Sequence, residues 1–360
     1  MTHLASIHDE HGARYTQRGG RRVVANYGRP ARVHRAVRKG AGLIERPLDV
    51  VVVAGEDRHD FVDDAVSNRV PTADGDGIYA LLLDPQGRVE SDMYVLVADE
   101  RLLVLTPPGE GEPLAEAWRE TTFIQDVTVE ARTDDFGVFG VHGPQATEKV
   151  ASVFSAQTPA EPLSFVRGSM RDHGVTVVRE DGLVGEDGYL VVSGAPAAER
   201  VFDTLETHGL NAAPFGLDTW DALTLEAGTP LFETEIAGRI PNDLGLDNAL
   251  DFEKGCFVGQ EVVSRIENRG EPANRLVGVV AEAMPGAGAA VLAGDDVVGE
   301  VTRAVESPML EAPIAFALVE SGVAADALSV RVAGEEVAAE HRALPFVEGS
   351  ERSARLPTYR

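Results

Sequence analysis

Apolar and polar positions follow two different rhythms along this chain, and the change between them divides it. In the first two thirds, continuous apolar runs are interleaved with stretches of helical period. The run 48–55 (Leu-Asp-Val-Val-Val-Val-Ala-Gly) reads as a buried strand ending at Gly55; behind it Phe61, Val62, Ala65 and Val66 recur at the spacing of one helix face. Segments 78–83 and 89–97 flank Asp84-Pro85-Gln86-Gly87, a hairpin pattern, and a further strand follows at 102–106. Helices are expected over 34–39, closed by Gly40, and from Pro113 to 120. A strand, a Gly-Pro turn and a helix over 146–154 repeat the order seen at 48–66, which suggests an internal duplication. Strands at 175–178 and 189–192 precede a helix over 197–207 that turns Val201, Phe202 and Leu205 inward and closes at Gly209. Strands and helices in no strict βαβ order predict an α+β fold. From 274 onward the pattern changes to short β runs (276–280, 290–293, 297–301, 314–319, 328–332), with Gly294-Asp295-Asp296 as a hairpin turn. That predicts a small antiparallel barrel or sandwich. The expected division is 1–47 with 121–210 as one α+β unit and 48–120 as a second. Beyond them come 211–270 as a linking segment, 271–348 as the barrel and 349–360 as a tail.

Composition sharpens this picture. A chain of 360 residues is too long for one ordinary core, and 44% hydrophobic with 25% charged residues excludes wholesale disorder. Acidic residues number 59 against 32 basic ones, a formal net charge of −27. Such a chain repels phosphate backbones and anionic lipid, so no nucleic-acid or membrane partner is expected. The acids are spread through every segment and only Lys39, Lys149 and Lys254 are lysines, a pattern that fits a high-salt cytoplasm in which self-repulsion is screened. The single cysteine, Cys256, excludes a disulfide framework and any cysteine cage supplied by this chain alone. The first twenty residues carry no apolar signal core and no apolar run reaches membrane-span length, so a cytoplasmic location is expected.

Chemistry concentrates at Asp251-Phe-Glu-Lys-Gly-Cys-Phe-Val-Gly-Gln-Glu-Val-Val-Ser-Arg265. Lys254 stands two residues before Cys256 and is expected to favour its thiolate. Gly255 and Gly259 permit close backbone approach, and Gln260 with Glu261 open a helix whose N-terminus favours an anion. The competing reading is a buried structural cysteine beside a chance lysine. His8 and His11 lack a third ligand, so no metal site is expected, and 137–143 carries no dinucleotide fingerprint.

The octapeptide Lys254-Gly-Cys-Phe-Val-Gly-Gln-Glu261 resembles the K-G-C-(Y/F)-x-G-Q-E motif of the folate-binding YgfZ proteins, relatives of the glycine-cleavage T-protein (aminomethyltransferase), and matches every specified position. Weaker similar strings include 80–89 with Asp92 behind it, Val141-His-Gly-Pro-Gln-Ala, Gly185-Glu-Asp-Gly-Tyr and Leu225-Glu-Ala-Gly-Thr-Pro. The resemblance implies a T-protein-like cloverleaf: two α+β domains and a C-terminal antiparallel β-barrel around a central hole that takes tetrahydrofolate or a one-carbon-substituted form. It implies a catalytic set of Cys256, Lys254 and Asp92, with the Asp92 carboxylate beside the folate's reactive N5. It further implies folate binding by Asp92, Glu226, Gly255, Gly259, Gln260 and Glu261. The bland alternatives are a solvent-facing hairpin Asp92 and a structural Glu226, with Glu186 and Asp187 as turn formers. T-proteins typically carry a Glu where this chain has Leu190 and an Arg where it has Thr224, and they lack Lys-Gly-Cys. These departures point towards the YgfZ side: folate-dependent support of iron–sulfur cluster assembly or repair, with iron–sulfur enzymes or their assembly factors as partners. The alternatives are an aminomethyltransferase of glycine cleavage and a non-catalytic folate-gated scaffold.

Overall fold

A computed structural model describes residues 4–122, 124–323 and 328–359. Two sheets and a barrel turn one apolar face each towards a shared centre. The first sheet runs in the order Phe165–Met170, His173–Arg179, Gly188–Gly194, Phe136–His142, Gly42–Glu45, Ala213–Pro214, antiparallel except for its last pair. Its outer face packs Phe139, Val141, Tyr189 and Val191 on the helices Ala146–Ala151 and Ala198–Thr207, through Val150, Val201, Phe202 and Leu205. The inner face sends Val138, Val178, Leu190 and Val192 to the centre. Both faces are buried, which is why these strands read as continuous apolar runs.

The second sheet, Gly77–Leu83, Val89–Ala98, Arg101–Thr106, Asp49–Ala54, Thr128–Ala131, is antiparallel throughout. Period-two alternation sends Val51, Val53, Val95 and Val97 outward to Phe61, Val62, Leu114 and Trp118 on the helices Arg58–Ala65 and Gly111–Arg119. The same alternation sends Tyr79, Leu81, Tyr94 and Leu96 to the centre. The C-terminal unit is a closed six-stranded antiparallel barrel. Val279, Val291, Val301, Ala315 and Val330 form its own core, while Leu276, Ile314, Phe316 and Leu318 join the central one. The α+β class and the cloverleaf architecture are thus both present.

Several boundaries differ from the expectation. The second unit extends past 120, because Thr128–Ala131 pairs with Asp49–Ala54. The stretch 211–270 is more than a link: the helix Leu217–Glu226 is buried along most of its length and packs with Val37, Ile44 and Phe215. The last residues do not trail away. Ser350, Ser353 and Arg355 are buried, and the Tyr359 hydroxyl donates to the Asp243 carbonyl and accepts from the Leu276 amide. No helix among the described residues is long and apolar enough to cross a membrane.

Candidate active site

Between the two sheets, the helix Leu217–Glu226 and the C-terminal segment lies a pocket lined by Arg46, Tyr79, Asp92, Tyr94, Trp220 and Arg355 among others. The strand Val89–Ala98 carries Asp92 and Tyr94 on one face, and the antiparallel register sets Tyr79 directly opposite Tyr94. Trp220 comes from the helix Leu217–Glu226, Phe232 from the turn after it, and Arg46 from the end of the strand Gly42–Glu45. The Tyr79 hydroxyl donates to Asp92 Oδ2 at 2.8 Å. Arg355 donates to the same oxygen at 2.9 Å through Nη1 and to the Tyr94 hydroxyl at 2.6 Å through Nη2. Tyr94 in turn donates to Asp181 Oδ1 at 2.7 Å. Burial, against the opposing charge of Arg355, pushes both phenols well above their ordinary range, so they act as neutral donors.

A second buried network supports the wall. Arg46 lies 4.0 Å above the Trp220 ring and donates to Glu180 Oε1 at 2.7 Å; His142 stands 3.2 Å from the other carboxylate oxygen. Burial alone would raise the Glu180 carboxyl, but His142 and Arg46 outweigh it and hold the value at about 2. The pocket therefore combines two carboxylates, Asp92 and Glu233, the second paired with Arg18, with further guanidinium groups and aromatic side chains, a surface suited to a planar, hydrogen-bonding ligand.

Of the residues singled out by sequence, only Asp92 lies on this pocket; none of Lys254–Glu261 lines it. Lys254 has a different task from the one expected. Its ammonium donates to the carbonyls of Asp63, Val66 (2.7 Å) and Asn68 (3.3 Å) at the C-terminal end of the helix Arg58–Ala65, with the Asp63 carboxylate 3.7 Å away. Its three N–H donors are spent there, on carbonyls that the helix leaves unpaired, so they are not available to Cys256. Cys256 itself is exposed. Gly259 has φ +79°, and a Cβ there would stand 2.6 Å from the Asp84 carbonyl oxygen and 3.0 Å from Gly87 Cα. The glycine thus seats the loop on the hairpin turn. Gly255 meets nothing within 4 Å, Glu261 is exposed and paired with Arg265, and Gln260 is the first residue of the following helix.

Glu226 is likewise not presented to a ligand. It is fully buried, and its oxygens accept from His34 Nε2 (2.8 Å), Arg38 Nε and Nη2 (3.1 and 2.8 Å) and Ser307 Oγ (2.6 Å). Burial pushes its carboxyl up, but the hydrogen bond from His34 and the charge of Arg38 prevail and hold it below the ordinary value. It therefore joins two helices to the barrel, which is the structural alternative weighed above. Glu186 and Asp187 stand in the turn at Gly185 (φ +80°), with Asp187 paired to Arg179 and Arg352. His8 bonds Glu45 and Tyr27, His11 bonds Glu206, and the described residues hold no metal-binding cluster. Leu190 is packed in the central core, and Thr224, on the helix Leu217–Glu226, accepts from Arg303 at 2.9 Å, so a guanidinium reaches this place from a strand of the barrel.

Tyr79, Tyr94, Arg46, Trp220 and Arg355 escaped the sequence reading. Period-two alternation puts Tyr94 on the face of Asp92 and could have flagged it; Arg355 carried no such signal.

Comparison with known proteins bears on the family and the fold. The GCVT N-terminal domain model matches residues 4–254, and the Glycine cleavage T-protein C-terminal barrel domain model matches 274–348. The chain is 33% identical to an aminomethyltransferase of Cutibacterium acnes, covering 97% of this chain and 98% of that one. It is 32% identical to a probable aminomethyltransferase of Natronomonas pharaonis, covering 96% and 98%. The crystal structure of glycine cleavage system aminomethyltransferase T from Bartonella henselae superimposes with a TM-score of 0.86 over 97% of this chain and 98% of that one, at 22% identity. That last likeness is one of fold.

Proposed function

The chain belongs to the glycine cleavage T-protein family, and from that premise we propose that it binds tetrahydrofolate in the central pocket and transfers a one-carbon unit to it as an aminomethyltransferase. The observation that carries this reading is Asp92: it stands on the pocket wall with Oδ2 occupied by Tyr79 and Arg355, while no described residue donates to Oδ1. A carboxylate so held can accept a proton from a substrate nitrogen as that nitrogen bonds to carbon, an effect worth about 10²–10⁴-fold. Tyr79, Trp220 and Phe232 line the pocket that would take a pterin, and the lining cations Arg18 and Arg46 would share the ligand's glutamate end with their present partners Asp221, Glu233 and Glu180. The test is incubation of the purified chain with tetrahydrofolate and aminomethylated lipoyl carrier protein. Methylene-tetrahydrofolate should form with release of ammonia, and Asp92→Asn should slow its formation by about 10²–10⁴-fold. A wild-type chain that forms none sinks this reading.

One observation favours a second reading. Cys256 is exposed, within an octapeptide whose last seven residues lie outside both matched stretches. This supports a YgfZ-type role, folate-dependent maintenance of iron–sulfur enzymes in a cytoplasm, with the thiol as the reactive group. Complementation of a deletion strain, read out by an iron–sulfur-dependent tRNA-thiolating enzyme, separates the two. Rescue by the wild-type chain that is lost with Cys256→Ser supports the second reading, and absence of rescue by the wild-type chain supports the first.

A further inference from the structure

Residues 349–359 lie beyond the matched barrel, yet one of them, Arg355, lines the central pocket. The segment is pinned on both sides of Arg355. Before it, the Ala354 amide donates to the Asp181 carbonyl at 2.9 Å and the Thr229 hydroxyl bonds Ser353 Oγ at 2.7 Å. After it, the Thr358 amide donates to the Gly245 carbonyl at 3.1 Å and Tyr359 bridges Asp243 and Leu276. Gly182 and Gly185, both at positive φ, pass so close to Arg352 and Ser350 that a Cβ would fall 2.3–2.4 Å from their backbone oxygens. Between these anchors Arg355 projects into the pocket, its guanidinium 3.8 Å above the Tyr79 ring and bonded to Asp92 Oδ2 and the Tyr94 hydroxyl.

We infer that Arg355 is a positioning residue: together with Tyr79 it fixes Asp92 through Oδ2 and so leaves Oδ1 as the carboxylate oxygen that meets an N–H group of the ligand. An aspartate carboxylate otherwise turns over a broad, two-fold torsion and presents either oxygen. A guanidinium suits the task because it is planar, carries its charge at every working pH, and bonds Asp92 and Tyr94 with separate nitrogens while lying flat on Tyr79. The inference rests on the folate reading above, and it assigns part of that site to a segment beyond the matched barrel model.

The test is calorimetric binding of tetrahydrofolate under anaerobic conditions, with aminomethyl transfer measured in parallel, on the full chain and on Arg355→Gln, Arg355→Lys, Asp92→Asn and the Asp92→Asn/Arg355→Gln double variant, each checked for folding by its melting curve. Arg355→Gln should lower kcat at least tenfold with a smaller change in KM. Arg355→Lys, which keeps the charge without the fork, should recover part of the loss and serves alone if Arg355→Gln does not fold. In the Asp92→Asn background Arg355→Gln should change kcat less than twofold. Wild-type kinetics in Arg355→Gln or Arg355→Lys, or an equal loss with and without Asp92, overturns the role of Arg355 and leaves the folate reading standing. Failure of the wild-type chain to bind tetrahydrofolate overturns that reading and the role of Arg355 with it.

Discussion

Replacing Lys254 by methionine separates its two possible tasks. The substitution keeps the length of the stem and removes the ammonium. Lys254 is almost wholly buried, and its Nζ serves the carbonyls of Asp63, Val66 and Asn68 where the helix Arg58–Ala65 ends. Hydrogen bonds to a charged group are each worth about 1.5–3 kcal/mol, and a cation at a helix C-terminus adds roughly 0.3–1 kcal/mol. The 3.3 Å contact is weak, and desolvation of the ammonium offsets part of the gain. A net loss of about 2–4 kcal/mol is expected, or a melting point lower by roughly 4–10 °C. Differential scanning calorimetry gives the first reading, and the rate of Cys256 alkylation by iodoacetamide, below the transition, gives the second. Because the ammonium is spent on carbonyls, alkylation should proceed within about twofold of the wild-type rate. Alkylation slowed tenfold with an unchanged melting point would refute the structural role and restore Lys254 as the activator of the thiol.

Two glycines of the same octapeptide should behave oppositely. Gly259→Ala, at φ +79° and facing the Asp84 carbonyl, should cost about 2 kcal/mol or more in urea unfolding, whereas Gly255→Ala, with open space around it, should stay within about 0.5 kcal/mol of wild type. Glu226→Gln strips the charge that Arg38 and His34 share, so stability should fall by about 3 kcal/mol while tetrahydrofolate affinity is retained; lost affinity at unchanged stability would make Glu226 a ligand after all. Glu180, held at about 2 in the folded chain, is protonated first in the unfolded chain as pH falls. Its contribution is therefore complete above about pH 4.5 and is lost on the way down to about pH 2. Glu180→Gln should flatten acid unfolding over that window, and an unaltered profile would rule the pair out as a source of acid sensitivity.

What the sequence made legible follows from the range of the forces involved. The hairpin around Asp84–Gly87, the outer helix face of Phe61 and Val62, and the barrel strands are local patterns of period two or 3.6, and each is present. Asp92 is reached through the family resemblance, and alternation then sets it on the face of Tyr94. Lys254 could not be placed, because its carbonyl partners lie 186 to 191 residues away in sequence. Arg355 meets Asp92 and Tyr94 across 263 and 261 residues, from a polar segment with no period at all. Local pattern tells which residues share a face; it does not tell which faces will close on one another.

The few cations of this acidic chain follow a division of labour set by their shapes. Each lysine stands at a helix C-terminus. Lys39 ends its own helix, Lys149 donates at 2.5 Å to the His208 carbonyl after Ala198–Thr207, and Lys254 closes Arg58–Ala65. At Lys254 a compact ammonium fits a cup of carbonyls, whereas Arg38 reaches the Leu223 carbonyl near the end of Leu217–Glu226 with the same guanidinium that holds Glu226. Arg46 lies flat on Trp220 and Arg355 on Tyr79, each holding a carboxylate with its edge, which a tetrahedral ammonium cannot do while stacked. Each lysine therefore stands at or reaches a helix end, whereas the arginines of the pocket lie over aromatic rings, as Arg22, Arg167 and Arg179 do elsewhere in the chain.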